Sequence, residues 1–311
     1  MTDFYHVSVL LDECLEGLNI KPDGIYVDGT LGGAGHSSQI AKRLTTGRLI
    51  GIDRDPVALK AAGERLAPYG DRVTLVHSNF CEIDQVLKSL NIDGVDGILL
   101  DLGVSSPQLD DGSRGFSYMA DAPLDMRMNN EDALTAHEVV NSWSFEELKR
   151  ILYDYGEERY APRIASAICS RRETKPIETT LELVDIIRGA MPAAALREKQ
   201  HPAKRSFQAI RIAVNDELGS VEKVMADAVE CLNPGGRLAV ITFHSLEDRI
   251  VKTAMAGAAK GCTCPPSFPV CVCGKKPQVQ VITRKPIVSG DEELERNPRA
   301  RSAKLRICEK L

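Results

Sequence analysis

The stretch Gly24-Ile25-Tyr26-Val27-Asp28-Gly29-Thr30-Leu31-Gly32-Gly33-Ala34-Gly35-His36 decides the fold. An apolar run ends in an acid, a turn containing four glycines follows, and a helical pattern begins. Glycines let a turn adopt backbone angles that other residues resist, and they let a ligand approach the backbone closely. The helix that follows presents unpaired N–H groups to such a ligand. The pattern predicts a strand, a ligand-binding turn and a helix. The alternative is a glycine-rich turn that binds nothing.

A second acid, Asp53, ends the next apolar run, Arg48–Ile52. An acid at the tip of the second strand, about twenty residues past the glycines, is placed to bind ribose hydroxyls. Its position favours a cofactor that contains adenosine, because a turn that binds nothing leaves Asp53 unexplained.

The glycine turn differs from the dinucleotide pattern G-x-G-x-x-G/A, because Ser38 occupies the third small position. Asp28, directly before the turn, would also repel a diphosphate. S-adenosyl-L-methionine has no phosphate and carries a cationic sulfonium and a cationic amine, which suit a turn flanked by an acid. The sequence therefore predicts an S-adenosylmethionine site, with a nicotinamide-dependent oxidoreductase as the alternative.

The composition predicts a soluble, cytoplasmic protein with no membrane partner. The chain has 311 residues, of which 43% are apolar, enough for a full core in one large domain or two ordinary ones. It contains no pattern of a signal peptide or a membrane span. The net charge of −5 argues against nucleic-acid binding over the whole surface. Local basic clusters such as Arg296–Arg306 still allow an RNA-binding face.

Apolar runs alternate with helical patterns up to Leu102, which predicts an α/β fold with a parallel sheet. From Ser113 to about Pro202 no strand pattern occurs, and capping boxes begin helices after Ser144 and Thr179. We predict a first part of the α/β domain at 1–110, an inserted all-helical domain at 111–205 and a second part at 206–311. The predicted strands are Ile25–Val27, Leu49–Ile52, Val73–Val76, Val95–Leu100 and Arg237–Phe243, with Gln278–Thr283 and Ala303–Cys308 as a closing hairpin-like pair.

Polar residues follow the predicted strands, where ligands bind in open parallel sheets. Asp101 follows an apolar run, so its carboxylate would be costly to bury unless a cation, such as a cofactor amine, pairs with it. Phe80 is a candidate to flank a purine or to pack in the core. Asp101, Ser105 and Ser106 are the candidate catalytic residues, with Asp101 orienting the site and a serine near the methyl acceptor.

Four cysteines, Cys262, Cys264, Cys271 and Cys273, lie within twelve residues. Four thiols so close in sequence could surround a tetrahedral zinc ion, although the usual spacing is C-x₂-C. The alternative is reduced thiols without metal. No metal is predicted for the catalytic site.

A series of motifs that runs in order through the chain resembles the ribosomal small-subunit methyltransferase H family, also called MraW. The motifs are Asp-Gly-Thr-x-Gly-x-x-Gly-His-Ser from Asp28, Ile52–Asp55, Leu100–Asp110, Arg114–Ser117, Pro123–Met128, Tyr155–Arg159, Phe207–Arg211, Phe243–Arg249 and Asn297–Ser302.

The resemblance implies a class I (Rossmann-like) methyltransferase fold with an inserted helical domain. It implies methyl transfer from S-adenosyl-L-methionine to N4 of a cytidine in the decoding centre (P site) of 16S rRNA, as naked rRNA or as the small ribosomal subunit. A non-catalytic RNA-binding or ribosome-assembly factor is the alternative. The implied cofactor-binding residues are Ala34, Gly35, His36, Asp53, Phe80, Asp101 and Gln108.

Two further expectations concern particular residues. Ala34 stands where the family often has glycine, and its methyl group should be tolerated if φ is negative. Arg211, Arg249, Arg299 and Arg301 are the candidates for contacts with RNA phosphates, and His244 is a candidate for the site or a structural histidine.

Overall fold

The computed structural model describes residues 8–105, 108–109, 111–262, 264–265, 268–270 and 272–311. They form two compact units: one runs to Gly103 and resumes at Leu218–Leu311, and the other is Val104–Glu217. The boundaries differ from those that the sequence predicted, at 110/111 and 205/206. The second unit extends further in both directions because the helix Lys204–Asn215 packs into the helical core through Phe207 and Ile210.

The first unit is built on a seven-stranded sheet. Its strands are β1 (Ile25–Asp28), β2 (Arg48–Asp53), β3 (Val73–His77), β4 (Val95–Asp101), β5 (Leu232–Thr242), β6 (Val279–Val281) and β7 (Lys304–Lys310). They lie in the order β3-β2-β1-β4-β5-β7-β6. Strands β1 to β5 pair in parallel, whereas β7 is antiparallel to both β5 and β6. The predicted closing pair is therefore present, but its second strand lies inside the sheet.

Helices connect the strands of the first unit and form the core of the second. In chain order they are α1 (Leu11–Leu18), α2 (Gly35–Arg43), α3 (Pro56–Leu66), α4 (Ile83–Ser89), α5 (Ala136–Ser142), α6 (Phe145–Asp154), α7 (Ala161–Arg172), α8 (Thr180–Ala190), α9 (Lys204–Asn215), α10 (Glu217–Cys231), α11 (Ser245–Ala259) and α12 (Asp291–Arg296).

Both faces of the sheet are covered, as the apolar character of its strands requires. Successive side chains of β4 point to opposite faces, so Leu99 packs with α1, α2 and α3, whereas Ile98 and Leu100 pack with α4, α10 and α11. All three side chains are fully buried. The chain forms an α/β, Rossmann-like fold with helices on both faces of a mostly parallel sheet.

The second unit has its own apolar core, formed by α5 to α9. The predicted capping boxes are present, because Ser144 and Thr179 each accept the N3 amide of the helix that they begin. A third box at Thr135 begins α5. No helix in the described part of the chain combines the length and the apolar character that crossing a membrane requires.

Candidate active site

Three acids end neighbouring strands at one edge of the sheet. Asp28, Asp53 and Asp101 are the last residues of β1, β2 and β4. The chain order reverses between β1 and β4, which lie side by side. Open α/β sheets bind ligands at the carboxyl ends of their strands, where the strand order reverses. The topology therefore brings the three predicted acids to the edge where a cofactor is expected.

Asp28 is 2% exposed and holds the glycine turn together. Its Oδ2 accepts a hydrogen bond from the Ser37 hydroxyl at 2.7 Å, and its Oδ1 accepts one from the Thr30 N–H at 3.1 Å. Burial raises the pKa of Asp28. The sequence suggested that this acid would suit a cationic ligand. The structure instead gives it a positioning role, because both its oxygens face the chain.

Ala34 has φ +57° and ψ +33°, in the left-handed region. The condition under which the methyl group should be tolerated, a negative φ, is therefore not met, because the residue directly before α2 is left-handed. Its N–H donates to the Leu31 carbonyl, its own carbonyl accepts from Ser38, and its methyl group is fully buried. Ala34 therefore shapes the turn, and the direct cofactor contact predicted for it stays a prediction.

Two glycines of the turn differ in the space around them. A Cβ on Gly35, the first residue of α2, would lie 1.9 Å from the Ser8 hydroxyl oxygen. A Cβ on Gly33 would meet no atom within 4 Å. Gly33 therefore faces open space, as a residue does where a ligand approaches the backbone. Gly35 is required for packing, so its predicted cofactor contact would be made by its backbone.

Asp53 ties the glycine turn to the end of β2. Its Oδ2 accepts from the Gly32 N–H at 2.7 Å, and its Oδ1 accepts from the Asp55 N–H at 2.8 Å. Burial raises the pKa of Asp53 to about 6. Each carboxylate oxygen can accept more than one hydrogen bond. The fixed carboxylate can thus bind a pair of ribose hydroxyls.

Asp101 carries an unsatisfied carboxylate oxygen. Its Oδ1 is buried and has no hydrogen-bond partner among the described residues, although its backbone N–H donates to the Thr30 hydroxyl at 2.6 Å. Burial, and to a lesser degree the charges of Asp28 and Glu247, raises the pKa of Asp101 to about 8. A buried, unpaired carboxylate is costly, and a cationic group bound beside it would offset that cost.

His36 lies on the first turn of α2 beside Asp101. Its Nε2 is 3.0 Å from the Val9 carbonyl oxygen, which can only accept, so Nε2 carries the hydrogen. Its Nδ1 is 3.8 Å from Asp101 Oδ2. The side chain is 6% exposed. His36 thus borders the Asp101 carboxylate, and its own contact with the cofactor stays a prediction.

Phe80 begins a short 3-10 turn, Phe80–Glu82, which Asn79 caps by accepting the Cys81 N–H. The ring is partly exposed and packs against the apolar cluster that covers one face of the sheet. A Cβ on Gly29 would lie 3.1 Å from the Phe80 Cβ. Phe80 therefore neighbours the glycine turn and keeps an accessible face, as an adenine contact requires.

Ser105 and Gln108 belong to the second unit and bind each other. The Ser105 N–H donates to Gln108 Oε1 at 3.0 Å, and the Gln108 N–H donates to the Ser105 hydroxyl oxygen at 3.4 Å. Gln108 is 5% exposed. Ser106 lies outside the described residues. The roles predicted for these three residues stay predictions.

His244 caps helix α11, which agrees with the alternative that it is a structural histidine. Its Nδ1 accepts from the Glu247 N–H at 3.4 Å, and its Nε2 lies 3.1 Å from Glu247 Oε1. Glu247 in turn accepts from the Phe243 N–H at 2.8 Å. Glu247, missed in the sequence, also contributes to the raised pKa of Asp101. The spacing of an N-cap residue and a Glu at N3 was the signal that could have found it.

The predicted RNA-binding arginines divide into two kinds. Arg211 forms a two-pronged ion pair with Glu217, with both N–O distances 2.8 Å, and it is 17% exposed. Its predicted phosphate contact is therefore not supported, because a buried carboxylate already binds its guanidinium. Arg249, Arg299 and Arg301 are exposed, as a phosphate contact requires.

These groups fit S-adenosyl-L-methionine at the edge of the first unit. Asp53 would bind the ribose hydroxyls, Asp101 the cationic amine and Phe80 the adenine. The buried Asp101 Oδ1 is the observation that supports the fit, because the cationic amine of the cofactor can both donate a hydrogen bond to it and offset its charge.

Comparison with known proteins agrees with this chemistry. The sequence model of the MraW methylase family matches residues 3–311. The ribosomal RNA small subunit methyltransferase H of Brevibacillus brevis is 62% identical over 309 residues, covering 99% of this chain and 98% of the relative. The protein of the same name from Heliobacterium modesticaldum is 60% identical over 310 residues, covering 99% of each chain.

A solved structure of an rRNA methylase from Streptococcus thermophilus aligns with 96% of this chain and 93% of its own, with 12% identity and a TM-score of 0.42. The family match confirms the resemblance found in the sequence, and with it the predicted cofactor, S-adenosyl-L-methionine. The chain is a methyltransferase and belongs to the MraW methylase family.

Proposed function

We propose that this enzyme transfers a methyl group to N4 of a cytidine in the decoding centre (P site) of 16S rRNA. The observation that supports transfer is the buried Asp101 Oδ1 at the end of β4. The names of relatives about 60% identical to the chain support small-subunit rRNA as the substrate. The cytosine and its N4 atom rest on the resemblance of the motifs.

S-adenosyl-L-methionine supplies an electrophilic methyl group on a sulfonium when bound. The protein aligns the acceptor nitrogen with that methyl group, since an in-line displacement depends chiefly on orientation. Asp53 and Asp101 hold the two ends of the binding site, and the turn around Asp28 keeps them in place. We assign Asp101 a second role, to orient the site around the reacting amine.

The exocyclic amine of cytosine is a poor nucleophile, because its lone pair is delocalised into the ring. An acceptor near N4 favours a pyramidal nitrogen and accepts a proton from it as positive charge develops there. Ser105 or Ser106 is the candidate to lie near the base. A base inside folded rRNA must be exposed or flipped before it can react.

The affinity for S-adenosylhomocysteine should rise with pH up to about 8 and then level off. Only the ionised Asp101 attracts the amine, and the pKa of Asp101 is raised to about 8. Titration calorimetry between about pH 6 and 9 measures the slope of affinity against pH. Well below the pKa of Asp101, the affinity should rise by nearly tenfold per pH unit. Asp101→Asn should flatten it over the upper part of the range. The same slope in both proteins would contradict the role of Asp101.

Exchanging Arg299 and Arg301 together for alanine should weaken binding of a small-subunit rRNA fragment and reduce the salt slope of binding by about two. Both residues are exposed, and thermal unfolding of the variant checks that its fold is kept. Fluorescence anisotropy at several salt concentrations measures the effect. Lys60→Ala, at another exposed cation, is the matched control. An unchanged salt slope would mean that the RNA binds to another face of the protein.

The decisive experiment is mass-spectrometric mapping of small-subunit rRNA from cells that lack this protein. We expect one cytidine to lose its N4 methyl group and to regain it when the wild-type chain is restored. Purified protein should transfer labelled methyl groups to small subunits or to 16S rRNA from those cells. Binding of RNA without any transfer would favour the assembly-factor alternative.

A further inference from the structure

Three cysteine thiols converge in the segment between α11 and β6, far in sequence from the cofactor residues. The Sγ atoms of Cys262, Cys264 and Cys273 all lie within 4.8 Å of one another. Cys262 Sγ and Cys273 Sγ are 3.8 Å apart, too far for a disulfide bond. Cys271, the fourth cysteine of this segment, lies outside the described residues.

The sulfur spacing matches a tetrahedral metal site. Zinc binds thiolate sulfur at about 2.3 Å, and a tetrahedron of that radius has edges of about 3.8 Å. The Cys262–Cys273 separation, 3.8 Å, has this length. The other two Sγ–Sγ distances are at most 4.8 Å, so each would have to shorten by no more than about 1 Å to reach the tetrahedral edge.

Backbone amides of the segment point at the same sulfurs. The Cys264 N–H donates to Cys262 Sγ at 3.4 Å, and the Val272 N–H donates to Cys264 Sγ at 3.4 Å. Such N–H···S hydrogen bonds stabilise the negative charge that a metal-bound thiolate carries, and they fix its orientation. The turns of the segment therefore present the sulfurs as ligands.

The described apolar side chains of the segment are mostly exposed. Its apolar side chains Phe268, Val270 and Val272 are 50%, 70% and 73% exposed. Its end is anchored to α11, because the Gln278 N–H donates to the Ala258 carbonyl at 2.9 Å. A short segment that buries so little apolar surface usually needs a metal ion or disulfides to keep one conformation.

We propose that Cys262, Cys264 and Cys273 bind a structural zinc ion that orders the segment between α11 and β6. Thiolates are soft ligands and favour zinc over magnesium or calcium. We assign the site a structural rather than a catalytic role, because its cysteines lie in a segment far in sequence from the three acids at the strand ends. Each thiol loses its proton to solvent as the metal binds, so no oxidant or reductant is needed.

The test is the metal content of the full-length chain, purified without a histidine tag or chelator and measured by inductively coupled plasma mass spectrometry. We expect about one zinc per chain, falling below about a tenth in Cys262→Ser, Cys264→Ser and Cys273→Ser. Cys169→Ser, in the helical unit, is the matched control and should keep its zinc. Cobalt substitution should give sulfur-to-cobalt charge-transfer absorption in the wild type and the control only.

The variant Cys271→Ser decides the fourth ligand. Loss of zinc would indicate a four-thiolate site, and retention a three-thiolate site completed by water; both support the proposal. Wild-type protein with less than about a tenth of an equivalent of zinc and no cobalt spectrum would overturn it. A Cys262–Cys273 disulfide in metal-free native protein, or zinc that survives all three described exchanges, would overturn it as well.

Discussion

Replacing Asp101 by asparagine should abolish measurable methyl transfer and weaken S-adenosylhomocysteine binding by about 10²–10³-fold. The amide cannot neutralise the cofactor amine, and losing one partner of a buried ion pair costs about 3–5 kcal/mol. Titration calorimetry and labelled methyl incorporation into small subunits measure the two effects. Asp71→Asn, at an exposed acid, is the control and should leave both unchanged.

The same exchange should stabilise the protein without cofactor at neutral and alkaline pH. The folded pKa of Asp101 is about 8, above its ordinary value of 3.8, so the folded state holds the proton more tightly. Stability is therefore lost as pH rises from about 4 to 8 in the wild type, and the variant should escape this loss. The folded and ordinary pKa values differ by about 4, so at about 1.4 kcal/mol per pKa unit we expect a gain on the order of 5 kcal/mol at pH 8. A variant that unfolds more easily at that pH would contradict the burial of an unpaired carboxylate.

Replacing Asp53 by alanine should reduce the affinity for S-adenosylhomocysteine by about 100-fold and also loosen the glycine turn. The exchange removes the carboxylate that we propose binds the ribose hydroxyls, and it leaves the Gly32 and Asp55 N–H groups without their acceptor. Unsatisfied donors cost about 1–3 kcal/mol each where they are buried. Calorimetry measures the affinity, and thermal unfolding measures the loss of stability.

The variant Gly33→Ala tests ligand binding at the glycine turn separately from the stability of the turn. Its Cβ meets no atom of the protein within 4 Å, so stability should hardly change, while a ligand that touches the turn should bind more weakly. Gly189→Ala, which also meets no atom, is the matched control and should bind normally. If Gly33→Ala bound the ligand with wild-type affinity, the cofactor would not approach the turn at this residue.

The sequence was most informative where a local pattern determines the structure. The strands before Asp28, Asp53 and Asp101 follow from apolar runs, and the capping boxes at Ser144 and Thr179 follow from their spacing. Parallel strands place their carboxyl ends at one edge, so the three acids could be brought together before any coordinates were known.

Features that depend on tertiary contacts could not be predicted in this way. The ion pair between Arg211 and Glu217 depends on how the chain turns at the end of α9, which the sequence pattern does not show. The left-handed conformation of Ala34 is set by the hydrogen bonds of the turn around it. The sequence suggested that Asp28 would face a cationic ligand, because its hydrogen-bond partners Ser37 and Thr30 are known only from the fold.

The place of β7 has a consequence for biosynthesis. Residues 304–310 fill the gap between β5 and β6, so β6 has no sheet neighbour in the described chain until β7 itself has been translated. A nascent chain that stalls before Lys304 would present the open hydrogen-bonding edge of β5 to other unfinished polypeptides. Until β7 is available to cover that edge, chaperones that guard emerging chains would therefore be needed most by this enzyme.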